Sequence, residues 1–231
     1  MQKYVKKNIP RPTDEILSVY KKLDVSTVYE AQGRQGLLDY SIKGIQSGVY
    51  LVGAAVTVTC PAGDNLMIHA AIEVCEPGDI LVITTIGEDQ AGMIGELIVT
   101  ALMKKGVKGI ITDSGIRDVS QLRSMKFPVW SQSVTSRGTT KSRGGWVNAP
   151  AVCGGVLVHP GDLILADDDG VVVVKRADFD SSLQSSLERL KKEEQTKEKI
   201  ESGQFSLDFY NLRPVLENEG VVYYDNEQNQ N

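Results

Sequence analysis

The stretch "IITDSGIRDVSQL", residues 110–122, sets a fixed cation, Arg117, beside a carboxylate, Asp118, directly after a β-branched run. Two chemistries fit that pair. One is structural: an ion pair on a helix's first turn, where a carboxylate meets the positive end of the dipole. The other is chemical: an arginine that holds an oxyanion and an aspartate that holds a hard cation, both at the rim of a sheet. Asp118 follows the end of a strand, where α/β sheets place their ligand-binding loops. Gly95-Glu96 begins a predicted helix, whose first backbone amides form an anion site. Glu96, Arg117, Asp118, Lys141 and Glu193 are the candidate site residues. Each also has a plain role open to it, Glu96 as decoration of a helix N-terminus and Lys141 as a solvent-facing strand residue. An anion site joined to a carboxylate and an arginine suits a metal-chelated oxo acid.

Other chemistries lack their residues. The chain contains no G-x-G-x-x-G, no G-x-x-x-x-G-K-[ST] and no G-x-S-x-G, which removes support for dinucleotide, P-loop and serine-hydrolase readings. Its two histidines, His69 and His159, cannot build a histidine-rich zinc site, and His69 reads as a structural residue on an apolar helix face. A formal charge of -5 offers no basic face to nucleic acid. No run approaches the roughly 18 apolar residues of a membrane span, and the N-terminus has no apolar signal region. Cys60, Cys75 and Cys153 are odd in number and widely spaced, as reduced, buried thiols would be. The expectation is a cytoplasmic protein without nucleic-acid or membrane partners.

The elements that must position the candidates follow from patterning. Thr13-Asp14-Glu15 caps an amphipathic helix over "ILSVYKKL", and Ser26-Thr27 caps a short one that ends near Gly33. "VYLVGAAVTVTC" is a long buried strand, Asp64 opens a helix over "NLMIHAAIEVC", and "PGDILVITTI" is a turn followed by a strand. Leu97, Ile98, Ala101 and Leu102 recur at helical spacing up to a stop at Gly106. The strand "VKGIITD" follows and breaks at Asp113-Ser114-Gly115. Strand, helix and strand with short links make an α/β unit. Asp169-Gly170 between "LILA" and "VVVV" marks a hairpin. Pro-Gly-Asp before apolar β-formers occurs at both Pro77 and Pro160. From about residue 177 the chain turns charged and helical. An aromatic segment able to pack then leads into a polar tail, "NEQNQN", expected to fray.

Six segments carry a family resemblance: "STVYEAQGRQGLL", "PAGDNLMIHAAIEVCEPGDILV", "GELIVTALMKKGVKGIITDSGIRDV", "FPVWSQSVTSRGTTK", "VCGGVLVHPGDLILADDDGVVVV" and "SGQFSLDFYNLR". They resemble class II, metal-dependent pyruvate aldolases that cleave 4-hydroxy-4-methyl-2-oxoglutarate and 4-carboxy-4-hydroxy-2-oxoadipate. Proteins that resemble regulators of ribonuclease E share the same core. The resemblance implies an α/β fold, a layered α-β-β-α sandwich over residues 1–176. A C-terminal helical arm, 177–231, would complete a neighbouring subunit's site in a trimer or hexamer. Asp118 would be the protein ligand of a Mg²⁺ or Mn²⁺ ion, and Arg117 would contact the substrate's 2-oxo oxygen. Glu96 stands where the family has an acidic residue bonded to metal-bound water. Gly95 and the amides of Leu97 and Ile98 would receive the pyruvyl carboxylate, and Lys141 matches a lysine near the metal's outer shell. Glu193, or its neighbour Glu194, would reach the metal waters of the neighbouring subunit. Gln121 departs from an acidic position found in some members. The implied reaction releases pyruvate through a metal-stabilised enolate, with oxaloacetate decarboxylation alongside. Two alternatives stand beside it, a non-enzymatic ribonuclease E regulator-like binding protein and a dedicated oxaloacetate decarboxylase. The long arm favours the enzyme over the regulator.

Overall fold

The computed structural model describes residues 2–87 and 91–224, so the polar tail expected to fray lies outside the described residues. In chain order the elements begin with β1 (Tyr4–Val5), α1 (Asp14–Tyr20), α2 (Val25–Ala31), β2 (Lys43–Gly44), β3 (Leu51–Pro61) and α3 (Leu66–Val74). The α/β units follow: β4 (Ile80–Ile86), β5 (Gly92–Ile94), α4 (Glu96–Lys104), β6 (Gly109–Ile116), α5 (Val119–Ser124) and β7 (Val129–Val134). Short strands come next: β8 (Trp146–Val147), β9 (Ala151–Cys153), β10 (Val156–Val158), β11 (Leu163–Ala166) and β12 (Val171–Val174). The chain closes with α6 (Phe179–Glu201), α7 (Ser206–Phe209) and α8 (Arg213–Asn218).

Strands β3, β4, β6 and β7 lie side by side and parallel, with registers Ala55↔Ile80, Ile80↔Gly109 and Ile110↔Val129. β3, β4 and the start of β6 are buried on both faces over most of their length, which is why they read as near-continuous apolar runs rather than as an alternation, whereas β7 is exposed from Gln132 to Val134. One face packs Val56, Val58, Leu81 and Ile83 against Ile68 of α3, Val99 and Leu102 of α4, and Leu122 of α5. The other face packs Ala55, Ile80, Val82 and Ile111 against Val158, Ile164 and Val173 of the hairpin strands. Each such fully buried side chain contributes roughly 1.5–3 kcal/mol. β3 joins the two β layers, because its first residues pair antiparallel with β11 and its later ones parallel with β4. Beyond the hairpins lie α1, α2 and the start of α6: Tyr20 Oη donates to Phe179 O at 2.8 Å, and Gln32 Nε2 to Val173 O at 3.3 Å. The expected layered α-β-β-α sandwich is the fold.

Two local expectations are corrected. The cap of α2 is Asp24, whose Oδ1 accepts from Thr27 N at 2.6 Å, so the helix starts earlier than a Ser26-Thr27 cap implies. β6 does not break at Asp113-Ser114-Gly115. Its register shifts between Thr112 and Gly115, and pairing with β5 and β7 then carries it to Ile116. A bulge absorbs the irregularity that looked like a loop. The Pro-Gly-Asp echo is one turn used twice. Asp79 Oδ2 accepts from Glu76 N at 2.7 Å and Asp162 Oδ2 from His159 N at 2.8 Å, ahead of β4 and β11 respectively.

The chain divides into two compact units, residues 1–186 and 187–231. In the second, Phe205, Tyr210, Leu212 and Val215 stay exposed. Within it Phe209 packs edge-to-face on Tyr210, ring centroids 4.5 Å apart, with Lys199 Nζ 5.6 Å from the Phe209 ring centroid. No helix among the described residues is long and apolar enough to cross a membrane.

Candidate functional site

The parallel strands all end at one edge, where Pro61, Ile86, Ile116 and Val134 are their last residues. Arg117 and Asp118 follow Ile116 there. Arg117 N donates to Ile94 O at 2.8 Å, which fixes the pair beside the β5–α4 corner. Asp118 takes a left-handed backbone, φ 56°, a conformation that Asp tolerates better than most residues. It stands at the N-cap of α5 but gives that helix no side-chain cap. Its carboxylate turns instead to α4, where Oδ2 accepts from Glu96 N at 3.0 Å and lies 3.7 Å from Arg117 Nε.

Gly95 makes this approach possible. Its backbone is extended and open to any residue, but a Cβ there would collide with Asp118 Oδ2 and press within 3.1 Å of Arg117 Nε and Cγ. Gly92 serves the same purpose three residues earlier, at the start of β5, since its Cβ would meet Thr135 O at 2.6 Å and Arg117 Cβ at 3.0 Å. The arginine's stem therefore lies along a glycine-lined strand, its side chain 44% exposed beside an Asp118 side chain 39% exposed.

Helical bonding in α4 begins with Val99 N donating to Gly95 O. The amides of Glu96, Leu97 and Ile98 thus have no partner within the helix. Asp118 Oδ2 takes the first, and the amides of Leu97 and Ile98 have no hydrogen-bond partner among the described residues. Glu96 sits at the first helical position with its side chain exposed, and Leu97 is 82% exposed at the same rim.

Lys141 comes to this edge by a loop rather than a strand. Residues 135–143 leave β7 with Thr135 N on Ile116 O at 2.9 Å, pass β5 with Gly92 N on Arg137 O at 2.8 Å, and end against Asp64 after β3. Buried Asp64 accepts from Thr140 Oγ1 at 2.6 Å, Ser142 N at 2.7 Å and Arg143 N at 3.1 Å. Burial alone would raise its pKa, but bonds from Thr140, Ser142, Leu66 and Arg143 outweigh that and hold it well below the carboxylate range. His69 corrects its assignment as a structural histidine, because it points outward from α3. Burial and then the charge of Lys141 hold its pKa below the ordinary value, favouring the neutral imidazole.

Glu193 belongs to the second unit, on α6, where Arg189 Nε lies 2.8 Å from its Oε1. Arg117, Asp118, Gly95, Glu96, Leu97 and Ile98 are therefore one constellation, with Lys141 on the loop that crosses the same sheet edge. Sequence patterning passed over Gly92 and Asp64. Asp64 looked like a helix cap, and half of it is one, since Oδ1 accepts from Leu66 N at 3.0 Å. A separate cavity of about 520 Å³, lined in part by Gln32, His159, Lys175 and Ser182, holds none of the predicted site residues.

The donor set suits one class of metal. Among the described residues, no three His, Cys, Asp or Glu side chains gather as a cage. Among the described residues, both polar contacts of the Asp118 carboxylate fall on Oδ2. A hard cation of the Mg²⁺ type takes one or two carboxylates, keeps several waters and accepts ligand oxygens, so Asp118 fits it and does not fit a closed zinc site.

The RraA-like family profile (Aldolase/RraA) matches residues 23–173. The chain belongs to that family. A Halalkalibacterium halodurans protein that carries the provisional name 4-hydroxy-4-methyl-2-oxoglutarate aldolase is 29% identical over 175 residues, 76% of this chain and 83% of the relative. The crystal structure of Streptomyces coelicolor RraAS2, described as an unusual member of the RNase ES inhibitor RraA protein family, superposes with a TM-score of 0.73 at 28% identity. It covers 82% of this chain and 100% of its own. An uncharacterized protein from Pseudomonas syringae shares the fold at a TM-score of 0.76 and 23% identity, over 86% of this chain and 93% of its own. An RraA-like core with an aldolase-named relative is thus established.

Proposed function

We propose that this RraA-like protein is a divalent-metal-dependent aldolase. It would cleave 4-carboxy-4-hydroxy-2-oxoadipate or 4-hydroxy-4-methyl-2-oxoglutarate to pyruvate and a second oxo acid, and decarboxylate oxaloacetate at the same site. The observation that carries the reading is the placement of Arg117 and Asp118, side by side over the glycine-opened start of α4.

Asp118 would hold the Mg²⁺ or Mn²⁺ ion, and the ion when bound supplies Lewis acidity to the 2-oxo group. The amides of Leu97 and Ile98 receive the pyruvyl carboxylate at the positive end of α4. Arg117 donates to the 2-oxo oxygen, where negative charge grows as the C3–C4 bond breaks. One such fixed donor is worth roughly 3 to 4 kcal/mol. Glu96, exposed at the same rim, orients the water that takes the C4 hydroxyl proton. Lys141 contributes positive charge; no Schiff base is required. Residues 177–231 form an arm that completes a neighbouring subunit's site through Glu193 in a homotrimer or homohexamer.

A regulator-like binding protein is the second reading, favoured by the likeness to RraAS2 over 82% of the chain. One assay separates the two. Pyruvate release from 4-carboxy-4-hydroxy-2-oxoadipate and from oxaloacetate is followed through lactate dehydrogenase with Mg²⁺, with Mn²⁺ and with EDTA. Cleavage that EDTA abolishes and metal restores is the expected result. Turnover of oxaloacetate alone makes the protein a decarboxylase, and silence on both from folded protein overturns the enzyme.

A further inference from the structure

The loop 135–143 has almost no regular structure, yet it crosses the carboxyl edge of the sheet in a fixed course. Its far end is gripped by one side chain. Asp64 is 0% exposed, and its Oδ2 accepts from Thr140 Oγ1, Ser142 N, Arg143 N and Ser142 Oγ, the last at 3.2 Å. Backbone bonds reinforce the grip. Thr140 N donates to Gly63 O at 2.8 Å and Asn65 N to Thr140 O at 3.0 Å, while the Arg143 guanidinium donates to Ala62 O. Lys141 lies between Thr140 and Ser142, both held by Asp64. Its own side chain is exposed, makes no recorded ion pair among the described residues, and acts electrostatically on His69.

We infer that Asp64 is the positioning residue that delivers Lys141 to the carboxyl edge of the sheet, beside α3 and at the rim that carries Arg117 and Asp118. The chemistry favours an anion in this place. A buried carboxylate is costly unless it is saturated with donors, and this one receives two backbone amides and two hydroxyls from the loop. A neutral amide of the same size keeps one oxygen for those donors but loses the charge and sets an NH₂ group against Leu66 N, so the grip on the loop weakens while the volume stays filled. What Lys141 then does depends on the aldolase reading; where it stands does not.

His69 makes the placement measurable without turnover, because it titrates within reach of Lys141. The experiment uses the full-length protein and records the imidazole signals by NMR across pH, with His69 assigned by its loss in His69→Gln. Removing the lysine charge in Lys141→Gln raises the His69 midpoint. Asp64→Asn shifts it in the same direction, and the double variant adds nothing beyond Lys141→Gln. In the pyruvate assay both single variants lower kcat by roughly 10², as a misplaced group does. A folded Asp64→Asn protein with the wild-type His69 midpoint overturns the inference, as does a Lys141→Gln protein in which His69 does not move. Should Asp64→Asn fail to fold, Thr140→Val removes one donor and decides the matter. An upward shift of His69 supports the grip, and no shift overturns it. Shifts in all three variants, with no turnover even by the wild type, would support the positioning role and sink the aldolase.

Discussion

Asp118 Oδ2 stands 3.0 Å from the backbone nitrogen of Glu96, so a left-handed residue at the end of β6 caps a helix to which it does not belong. The adjacent Arg117 is held by the same corner, through its own amide on Ile94 O. Neighbours in sequence thereby become neighbours around one anion site. The pair is partly exposed, and its carboxylate caps α4 rather than its own helix α5, so the structural reading as an ion pair on that helix's first turn does not describe it fully.

That geometry separates two substitutions at one position. Asp118→Asn keeps an acceptor for Glu96 N and a residue that tolerates the left-handed backbone, so melting without metal should stay within a few degrees of wild type. Turnover should vanish. Metal at a hundred times its Kd stabilises a one-site protein by about 2.7 kcal/mol, and that gain should be missing from the variant. Thermal unfolding with and without Mn²⁺ measures both effects. Full activity in Asp118→Asn would refute the metal assignment.

Arg117→Ala should lower kcat by roughly 10² to 10³, the loss typical of one oxyanion donor, with little change in metal affinity. Steady-state kinetics beside a Mn²⁺ titration tests this. A change confined to KM would place the arginine in ground-state binding instead.

Gly95→Ala asks whether the close approach matters. The backbone at Gly95 is extended, so alanine meets no torsional penalty, yet its methyl would enter the space that Asp118 Oδ2 occupies. Overpacking of this kind costs about 1–3 kcal/mol, and relief comes only by moving the carboxylate or the arginine. The expected protein is folded, modestly less stable, and at least ten times slower. Metal affinity should fall with activity, which calorimetric titration would show.

How much of this was legible in the sequence depends on range. The strands β3 and β4, the start of β6, the hairpin at Asp169-Gly170 and the helix stop at Gly106 are local patterns, and each stands where patterning put it. Arg117, Asp118 and Gly95 were legible because a glycine helix start and an Arg-Asp pair at a strand end are local signals as well. Asp64 was not. Its partners Thr140, Ser142 and Arg143 are far away in the chain, and no local rule says that one cap residue also anchors a distant loop. His69 failed for a related reason: "NLMIHAAIEVC" has apolar residues on nearly every side, and only the packed sheet decides which face is out. The break assigned at Asp113 failed because a bulge and a loop share the same small polar residues.

Asp113 itself offers the clearest dependence on pH. Burial raises its pKa, against the lowering bonds from Thr84, Gly154 and the Thr85 backbone, and its Oδ1 is buried without a hydrogen-bond partner among the described residues. Thr84 Oγ1 donates to Oδ2 at 2.8 Å and Gly154 N at 3.3 Å, so these two donors share one oxygen. A folded pKa above the unfolded one means that the native state holds a proton which the unfolded chain has released. Between those two values stability rises as the pH falls, and above both the charged form weakens the fold. Asp113→Asn removes the charge and keeps an acceptor toward Thr84 and Gly154. It should therefore be more stable than wild type at pH 7, by about 1 kcal/mol on the scale of one hydrogen bond. The advantage should shrink as the pH falls through the raised pKa of Asp113 toward roughly 4, where wild type becomes protonated too. Urea unfolding of both proteins across that window is the measurement. An advantage that stayed constant with pH would mean that the charge of Asp113 is not what weakens the fold.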